Sequence, residues 1–105
     1  MNDTGSPLAV LVELNHPHRV SVAGVLDVAT VPALLARSME LPADDDLVLD
    51  CARVDFMDAA ALNGFVALNA ALSRRGQHLC ITGVRAPTRR LFELTGLDQE
   101  LDLES

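Results

Sequence analysis

Residues 56–64 read Phe56-Met57-Asp58-Ala59-Ala60-Ala61-Leu62-Asn63-Gly64 and predict a helix that starts directly after an apolar strand. Asp58 suits the position before the helix, because a carboxylate oxygen accepts hydrogen bonds from the free amides of the first turn. The alanines that follow are the strongest helix formers among the amino acids. The turn is therefore well specified as a structure, while its alanine side chains offer no group for chemistry.

The first half of the chain predicts a β-hairpin followed by a helix. Residues 8–14 and 19–23 are apolar or alternate with period two, and Asn15-His16-Pro17-His18 between them is typical of a polar turn. Thr30 supplies a hydroxyl that can cap a helix, and Pro32 suits the first helical turn. The apolar side chains that follow recur at helical spacing, at Val31, Leu34, Leu35 and Met39.

The middle of the chain predicts a buried strand and a long helix. The acidic run Asp44-Asp45-Asp46 forms a solvated turn, and residues 47–49 are a short, fully apolar strand of the kind found inside covered sheets. The helix that starts after Asp58 can end at Gly76, which readily takes the left-handed conformation that closes a helix. Its apolar seam consists of Ala61, Phe65, Leu68 and Leu72.

The last part of the chain adds a strand, a helix and a short edge strand. Residues 77–83 predict the strand, Pro87 and Gly96 bound the third helix, and Leu101-Asp102-Leu103 predict the edge strand. Each connecting helix is long enough to join parallel strands through a right-handed crossover. The sequence therefore predicts an α/β fold, a mixed central β-sheet of four to five strands with about three to four packed helices.

Length and composition predict a single cytoplasmic domain. We expect residues 1–7 to form a flexible N-terminal arm and residues 8–105 to form one domain, because 105 residues support one hydrophobic core. The formal net charge of −7 and the absence of lysine disfavour nucleic acid as a partner. Since no apolar run approaches the ~18 residues of a membrane span, we expect no direct membrane insertion.

Candidate catalytic and metal-binding residues are weak in this sequence. Cys51 and Cys80 are far apart and form no redox or zinc motif, and a polar turn explains the His-Pro-His spacing of His16 and His18. The carboxylates Asp50, Asp55 and Asp58 are expected to cluster around one strand end, without a nucleophile beside them. We therefore predict no enzyme, no metal site and no cofactor.

Three ordered segments resemble the STAS family of anti-sigma factor antagonists. Gly24-Val25-Leu26-Asp27 with Thr30 resembles the family's Gly-x-Leu-Asp stretch, Leu47-Val48-Leu49-Asp50 its central strand, and residues 89–97 its last helix. The Asp58 turn is similar to the family's Asp-Ser-Ser-Gly-Leu turn, whose first serine is phosphorylated by a partner kinase. Ala59 occupies that serine position here, so the resemblance implies a STAS fold whose usual phosphosite is lost.

The resemblance also implies a function and a partner. A member of this type captures an anti-sigma factor of histidine-kinase-like ATPase fold and thereby frees a sigma factor. The main alternative is a STAS accessory subunit of a lipid-transport ATP-binding cassette complex, whose partner is a transport ATPase. The sequence leaves open whether the chain forms a homodimer. The implied partner-binding residues are Asp27, Thr30, Met57, Asp58, Ala59, Ala60, Ala61, Leu62 and Asn63.

Overall fold

The computed structural model describes residues 8–104, so the predicted arm at residues 1–7 and Ser105 lie outside the described residues. Within residues 8–104 two consecutive strands come first, and three helices then alternate with three further strands. A short 3-10 turn at Leu97–Gln99 follows the last helix. The helices are α1 (Val31–Met39), α2 (Ala59–Arg74) and α3 (Ala86–Thr95). The strands are β1 (Leu8–Glu13), β2 (His18–Leu26), β3 (Leu47–Met57), β4 (Leu79–Thr82) and β5 (Asp102–Glu104).

The strands form one mixed sheet in the order β1-β2-β3-β4-β5. β1 pairs antiparallel with β2, and every other neighbouring pair is parallel. Because right-handed crossovers between successive parallel strands all lead to the same side, the three helices cover one face of the sheet. The opposite face carries no helix in the part of the chain that the structure describes, and we call it the helix-free face.

The hydrophobic core lies between the sheet and the helix layer. Side chains of β2 and the first half of β3 alternate between buried and half-buried, as expected for strands with one covered face. Phe65 of α2 and Phe92 of α3 are fully buried, and their stacked rings have centroids 6.2 Å apart. The seam predicted for α2 is confirmed, because its four members are buried in this core: Ala61, Phe65, Leu68 and Leu72.

Most of the predicted architecture is confirmed. The hairpin is present as β1 and β2, and the edge strand is present as β5 beside β4. α2 ends at Arg74, and Gly76 follows with a left-handed φ of +77°. Gly96 ends α3 with φ +78°. The mixed sheet with a helix layer is therefore the fold that the periodicities predict. Among residues 8–104, no helix is both long and apolar enough to cross a lipid bilayer.

β3 is much longer than the predicted strand at residues 47–49. It runs to Met57 and contains two extra residues relative to the paired strand β2. Between the paired positions Ser21–Asp50 and Val25–Phe56, β3 spans six residues and β2 spans four. Each extra residue is a bulge, which reverses the side to which later side chains point. The bulges break the alternation that would have revealed the strand in the sequence.

Two further boundaries differ from the prediction. His18 is the first residue of β2 and is buried, whereas the sequence placed it in the exposed turn. Gln77 precedes β4 and does not belong to it, because its backbone amide donates to the carbonyl of Leu72 at the end of α2. Its side-chain amide donates to the carbonyl of Asp45 at 2.6 Å. Gly83 lies beyond the last residue of β4 with φ +78°. The side chains of His18 and Gln77 thus bind groups of the loop before β3, far away in the sequence, whereas Gly83 leaves the strand through its left-handed backbone.

Helices α1 and α2 pack closely at Gly64, where a methyl group would lie 2.5 Å from Cγ1 of Val31. We expect Gly64→Ala to lower the free energy of unfolding by about 1–2 kcal/mol, because overpacking outweighs the gain in helix propensity. Urea unfolding measures this loss. Adding Val31→Ala removes the clashing methyl, so the double variant should lose less than the sum of the single losses. Strictly additive losses would contradict the close approach.

Candidate functional site

The loops that follow β2 and β3 lie side by side at one edge of the sheet. The strands are parallel, and Leu26 at the end of β2 is in register with Met57 at the end of β3. The backbone amide of Asp58 donates to the carbonyl of Leu26 at 3.2 Å, which ties the two loops together. Loops at the carboxyl ends of parallel strands are the usual binding region of α/β sheets. We call residues 27–30 and 57–63 the loop edge.

Asp58 caps helix α2, as the sequence predicts. Its backbone is extended, and its Oδ1 accepts from the backbone amide of Ala61 at 3.2 Å. Ala59 is the first residue of the helix and its side chain is exposed. The cap thus holds the start of α2 in place without using the side chain at position 59.

We expect Asp58→Ala to lower the free energy of unfolding by about 1 kcal/mol, the usual value of a helix cap. Asp58→Asn is the matched control, because an amide oxygen can also accept from the backbone of Ala61. Chemical denaturation of the three proteins separates the effect of the cap from the effect of the charge. If the alanine and asparagine variants lose the same stability, the hydrogen bond to Ala61 is not what stabilises this turn.

The other loop is organised by Asp27. Its Oδ1 accepts from the backbone amides of Ala29 at 3.0 Å and Thr30 at 3.1 Å. The hydroxyl of Thr30 accepts from the amide of Asp27 at 2.9 Å and donates to the carbonyl of Val25 at 2.8 Å. The predicted capping role of this hydroxyl is therefore wrong, because α1 has no side-chain cap and the hydroxyl holds the loop to β2 instead.

The nine residues implied by the resemblance all lie at the loop edge, at different depths. Ala59 and Asn63 are exposed, and the side chains of Asp27, Asp58 and Ala60 are half-buried. The remaining four are buried and shape the edge from below: Thr30, Met57, Ala61 and Leu62. The side chains that can reach a partner are therefore few, small and acidic or neutral.

Sequence reasoning missed two exposed apolar side chains, one within the loop edge and one next to it. Val28 is 75% exposed in the loop after β2, and Phe56 is 54% exposed one residue before Met57. The chain has three aromatic residues, and the other two are fully buried. The sequence alone could have indicated this exposed aromatic residue, because the chain has so few of them. That would have required recognising that the strand extends to residue 57. Exposed aromatics at a loop edge are typical of protein–protein contacts.

The expected cluster of carboxylates around one strand end is wrong. Asp50 lies in the middle of β3, eight residues before Asp58, which places the two roughly 25 Å apart along an extended strand. Its carboxylate accepts from the guanidinium of Arg19 at 2.7 Å on the helix-free face. Asp55 is an exposed residue of the second bulge. The long strand separates groups that a short strand would have brought together.

The histidines bind carboxylates at the opposite edge of the sheet. His16 contacts Asp45, and buried His18 contacts Asp44, each with a nitrogen–oxygen distance of 2.7 Å. His78 pairs with Asp102 at the same distance. Within residues 8–104, no group of three or more His, Cys, Asp or Glu side chains is arranged to hold a metal ion. The pairs of His16 and His18 connect the start of β2 and the turn before it to the loop before β3. The pair of His78 connects the residue before β4 to β5.

The two cysteines are free and buried. Burial raises the pKa of Cys51 to about 12 and that of Cys80 to about 11, with nearby carboxylates adding to both shifts. A thiol is nucleophilic only as the thiolate, so both side chains stay protonated and unreactive near neutral pH. They serve as small apolar groups in the sheet.

Three paired carboxylates predict how stability depends on pH. Hydrogen bonds from His18 and His16 lower the pKa values of Asp44 and Asp45, and the pKa of Asp50 is lowered by the backbone amide of Ala52 and then by Arg19. A carboxyl group whose pKa is lower in the folded than in the unfolded state stabilises the fold above about pH 4. This stabilisation is lost as the pH falls through the folded-state pKa. The three pairs are Asp44–His18, Asp45–His16 and Asp50–Arg19.

We therefore expect the free energy of unfolding to fall as the pH drops below about 4, and to fall less steeply in Asp50→Asn than in the wild type. Denaturant titrations between about pH 2 and pH 7 measure the two slopes. Parallel slopes would show that Asp50 binds its proton equally well in the folded and unfolded chains.

The fold defines the chain as a two-layer α/β domain, one sheet covered by one layer of helices, with a paired loop edge. Comparison with known proteins identifies the family. Residues 10–104 match the family model described as Mlab, STAS domain. The chain belongs to the STAS-domain family.

Similar proteins carry one recurring name. The anti-sigma-B factor antagonists of Staphylococcus epidermidis and Staphylococcus aureus are each 38% identical over 82 residues, which cover 76% of this chain and 76% of the relative. The crystal structure of an anti-sigma factor antagonist from Mycobacterium paratuberculosis superposes with a TM-score of 0.76 at 32% identity. The match covers 98% of this chain and 89% of that one. These sequence relatives and this solved structure thus share the name anti-sigma factor antagonist.

Proposed function

We propose that this protein is an anti-sigma factor antagonist that captures a cytoplasmic anti-sigma factor of histidine-kinase-like ATPase fold and so frees a sigma factor. The observation that carries the proposal is the loop edge, where the Asp58–Leu26 hydrogen bond holds two loops side by side as one surface. Relatives named as anti-sigma factor antagonists support the same function. The loop edge is the surface that binds the partner.

The chemistry of the loop edge predicts the chemistry of the partner. Asp27 and Asp58 place two half-buried carboxylates there, and the chain carries a formal charge of −7. Val28 and Phe56 add exposed apolar area beside them. A partner surface with apolar pockets between basic side chains matches this arrangement, because complementary charges guide docking while buried aromatic groups contribute most of the affinity.

We further propose that the protein has lost the phosphorylation switch. Ala59 is exposed at the start of α2, so a kinase can approach it, but its methyl group has no oxygen to accept phosphate. Phosphorylation of a serine there would add a charge of about −2 at the contact surface. Without that serine, the antagonist stays in its binding form in the presence of ATP.

Calorimetric titration against each purified kinase-fold anti-sigma factor of the source genome tests the function. We expect one of them to bind, and to release its sigma factor when this protein is added, with or without ATP. If none binds and the chain co-purifies with a transport ATPase, the lipid-transport accessory subunit is the correct function.

We expect no phosphate in residues 56–65 after incubation with the cognate anti-sigma factor and ATP. Intact-mass analysis measures the modification, and Ala59→Ser is the matched positive control because it restores a hydroxyl at an exposed helical position. A stoichiometric phosphate on another hydroxyl of the wild type would show that the switch has moved and would refute permanent activity.

Asp27→Ala is expected to weaken partner binding, and the structure shows why this variant needs a control. Removing the side chain also removes two hydrogen bonds, to the amides of Ala29 and Thr30, so the loop itself should loosen. Asp27→Asn keeps an acceptor oxygen and removes only the charge. If charge matters for docking, both variants lose affinity in calorimetry, whereas only the alanine variant loses about 1 kcal/mol of stability. Wild-type affinity in Asp27→Asn would exclude the charge from the contact.

A further inference from the structure

The helix-free face leaves a mostly parallel sheet uncovered on one side. Parallel strands normally have both faces covered, because their crossover helices pack on the two sides. Here all three helices lie on one side, and the other side of β1 to β3 presents small or apolar side chains to solvent. Those on the neighbouring strands are Ala9, Leu11, Ser21, Ala23 and Ala52.

This face contains both a projection and a hollow. Leu11 is 62% exposed on β1. Leu11 also forms part of the wall of a depression of about 410 Å³, whose lining includes the small side chains Ala9, Ala23 and Ala52. A two-fold dimer brings the same patch of each copy together, so the patch must be complementary to itself. A projecting leucine next to a hollow lined by alanines meets that condition, because Leu11 of each copy can enter the hollow of the other.

The charges on this face also suit a second copy. Two copies that each carry a formal charge of −7 repel each other over most of their surface. Around the hollow the charges balance, since Arg19 pairs with Asp50 at 2.7 Å and Arg53 lies beside them. Among residues 8–104 Arg53 forms no direct ion pair, although its charge also acts on Asp50, and Glu13 is opposite Arg19 on β1. Arg53 is therefore available to a carboxylate of another copy.

We propose that the helix-free face binds a second copy of this chain, with Leu11 packed into the partner copy's hollow. The 33 strand residues span about 500 Å² per copy at ~3.3 Å per residue and ~4.8 Å between strands, so about 1,000 Å² in total. That area is at the lower limit for a specific interface. The dimer is accordingly concentration-dependent, and it leaves both loop edges free.

Analytical ultracentrifugation over a concentration series tests the dimer without any other protein. We expect the mass of the wild type to rise from 11.2 kDa towards twice that value between about 10 µM and 1 mM. Leu11→Asp places a charge in the contact and should raise the dissociation constant at least about tenfold. Leu94→Asp is the matched control, because Leu94 is 70% exposed on α3, in the helix layer on the opposite side of the sheet, and it should dimerise like the wild type.

Arg53→Glu gives a second, independent variant, since Arg53 is exposed and its replacement makes the face net negative. It should also weaken the dimer, with unchanged circular dichroism. A wild type that stays monomeric at the highest concentration overturns the proposal, as does a dimer that Leu11→Asp leaves intact or that Leu94→Asp weakens equally. A small molecule held by a monomer in native mass spectrometry would assign the hollow to a ligand and also overturn the proposal. None of these results depends on anti-sigma factor binding. The proposed dimer and the proposed function are therefore tested independently.

Discussion

Gly83→Ala should lower the free energy of unfolding by about 2–5 kcal/mol, a loss comparable to much of the stability of a domain of this size. Two costs add at this position. The backbone has φ +78°, which side chains disfavour, and a new Cβ would lie 2.6 Å from the backbone nitrogen of Ala52 on β3. Backbone atoms cannot rotate away as a side chain can, so the loop after β4 would have to move.

Gly76→Ala is the matched control, because Gly76 has nearly the same φ of +77° but no atom within 4 Å of the added Cβ. It should lose only the conformational part, about 1 kcal/mol. Thermal and urea unfolding of both variants separate the two costs. Equal losses at Gly76 and Gly83 would mean that the loop after β4 does not press against β3 in solution.

Ala59→Glu is the prediction with the largest expected effect on function. A negative charge at the first helical residue after Asp58 interacts favourably with the helix dipole and stabilises the fold by about 0.3–1 kcal/mol. The variant should therefore be at least as stable as the wild type. At a contact surface formed around a neutral methyl group, the same charge should reduce affinity for the anti-sigma factor about tenfold or more. Stability and affinity therefore move in opposite directions.

Ala67→Glu is the control for Ala59→Glu, since it adds the same charge at an exposed position of α2 about 12 Å further along the helix. It should bind the anti-sigma factor as well as the wild type does. Calorimetry and thermal melting on the same preparations give both quantities. An anti-sigma factor that binds Ala59→Glu as tightly as wild type contacts some other surface, and the loop edge would then no longer explain the function.

The sequence correctly predicted those elements that are determined by residue types and spacing within a short segment. The seam from Ala61 to Leu72, the cap at Asp58 and the left-handed Gly76 follow from spacing and residue type, and all three are present. The hairpin and the edge strand β5 follow from period two and turn residues. These predictions depend on neighbours within a few residues, which the sequence shows directly.

The remaining features depend on contacts that residue type and spacing do not specify. The bulges of β3 are defined by the register with β2, so residues 50–57 do not show the alternation of a regular strand. The hydroxyl of Thr30 could cap a helix by local rules, yet Val25 offers a carbonyl at 2.8 Å. His18 is a residue type common in turns, but it is buried at the start of β2, where Asp44 accepts from its ring across the loop. Pairing partners of this kind cannot be identified from one sequence.

The way Asp58 holds helix α2 has an evolutionary consequence. The capping oxygen belongs to Asp58, and the hydrogen bonds of the turn run through the backbone, so the exposed side chain at position 59 carries no structural duty. Alanine and serine codons differ by a single base. Under the proposed function, one nucleotide substitution would place a hydroxyl at position 59 without disturbing the fold. Sensitivity to a kinase can therefore be gained or lost in this lineage in one mutational step, independently of selection for stability.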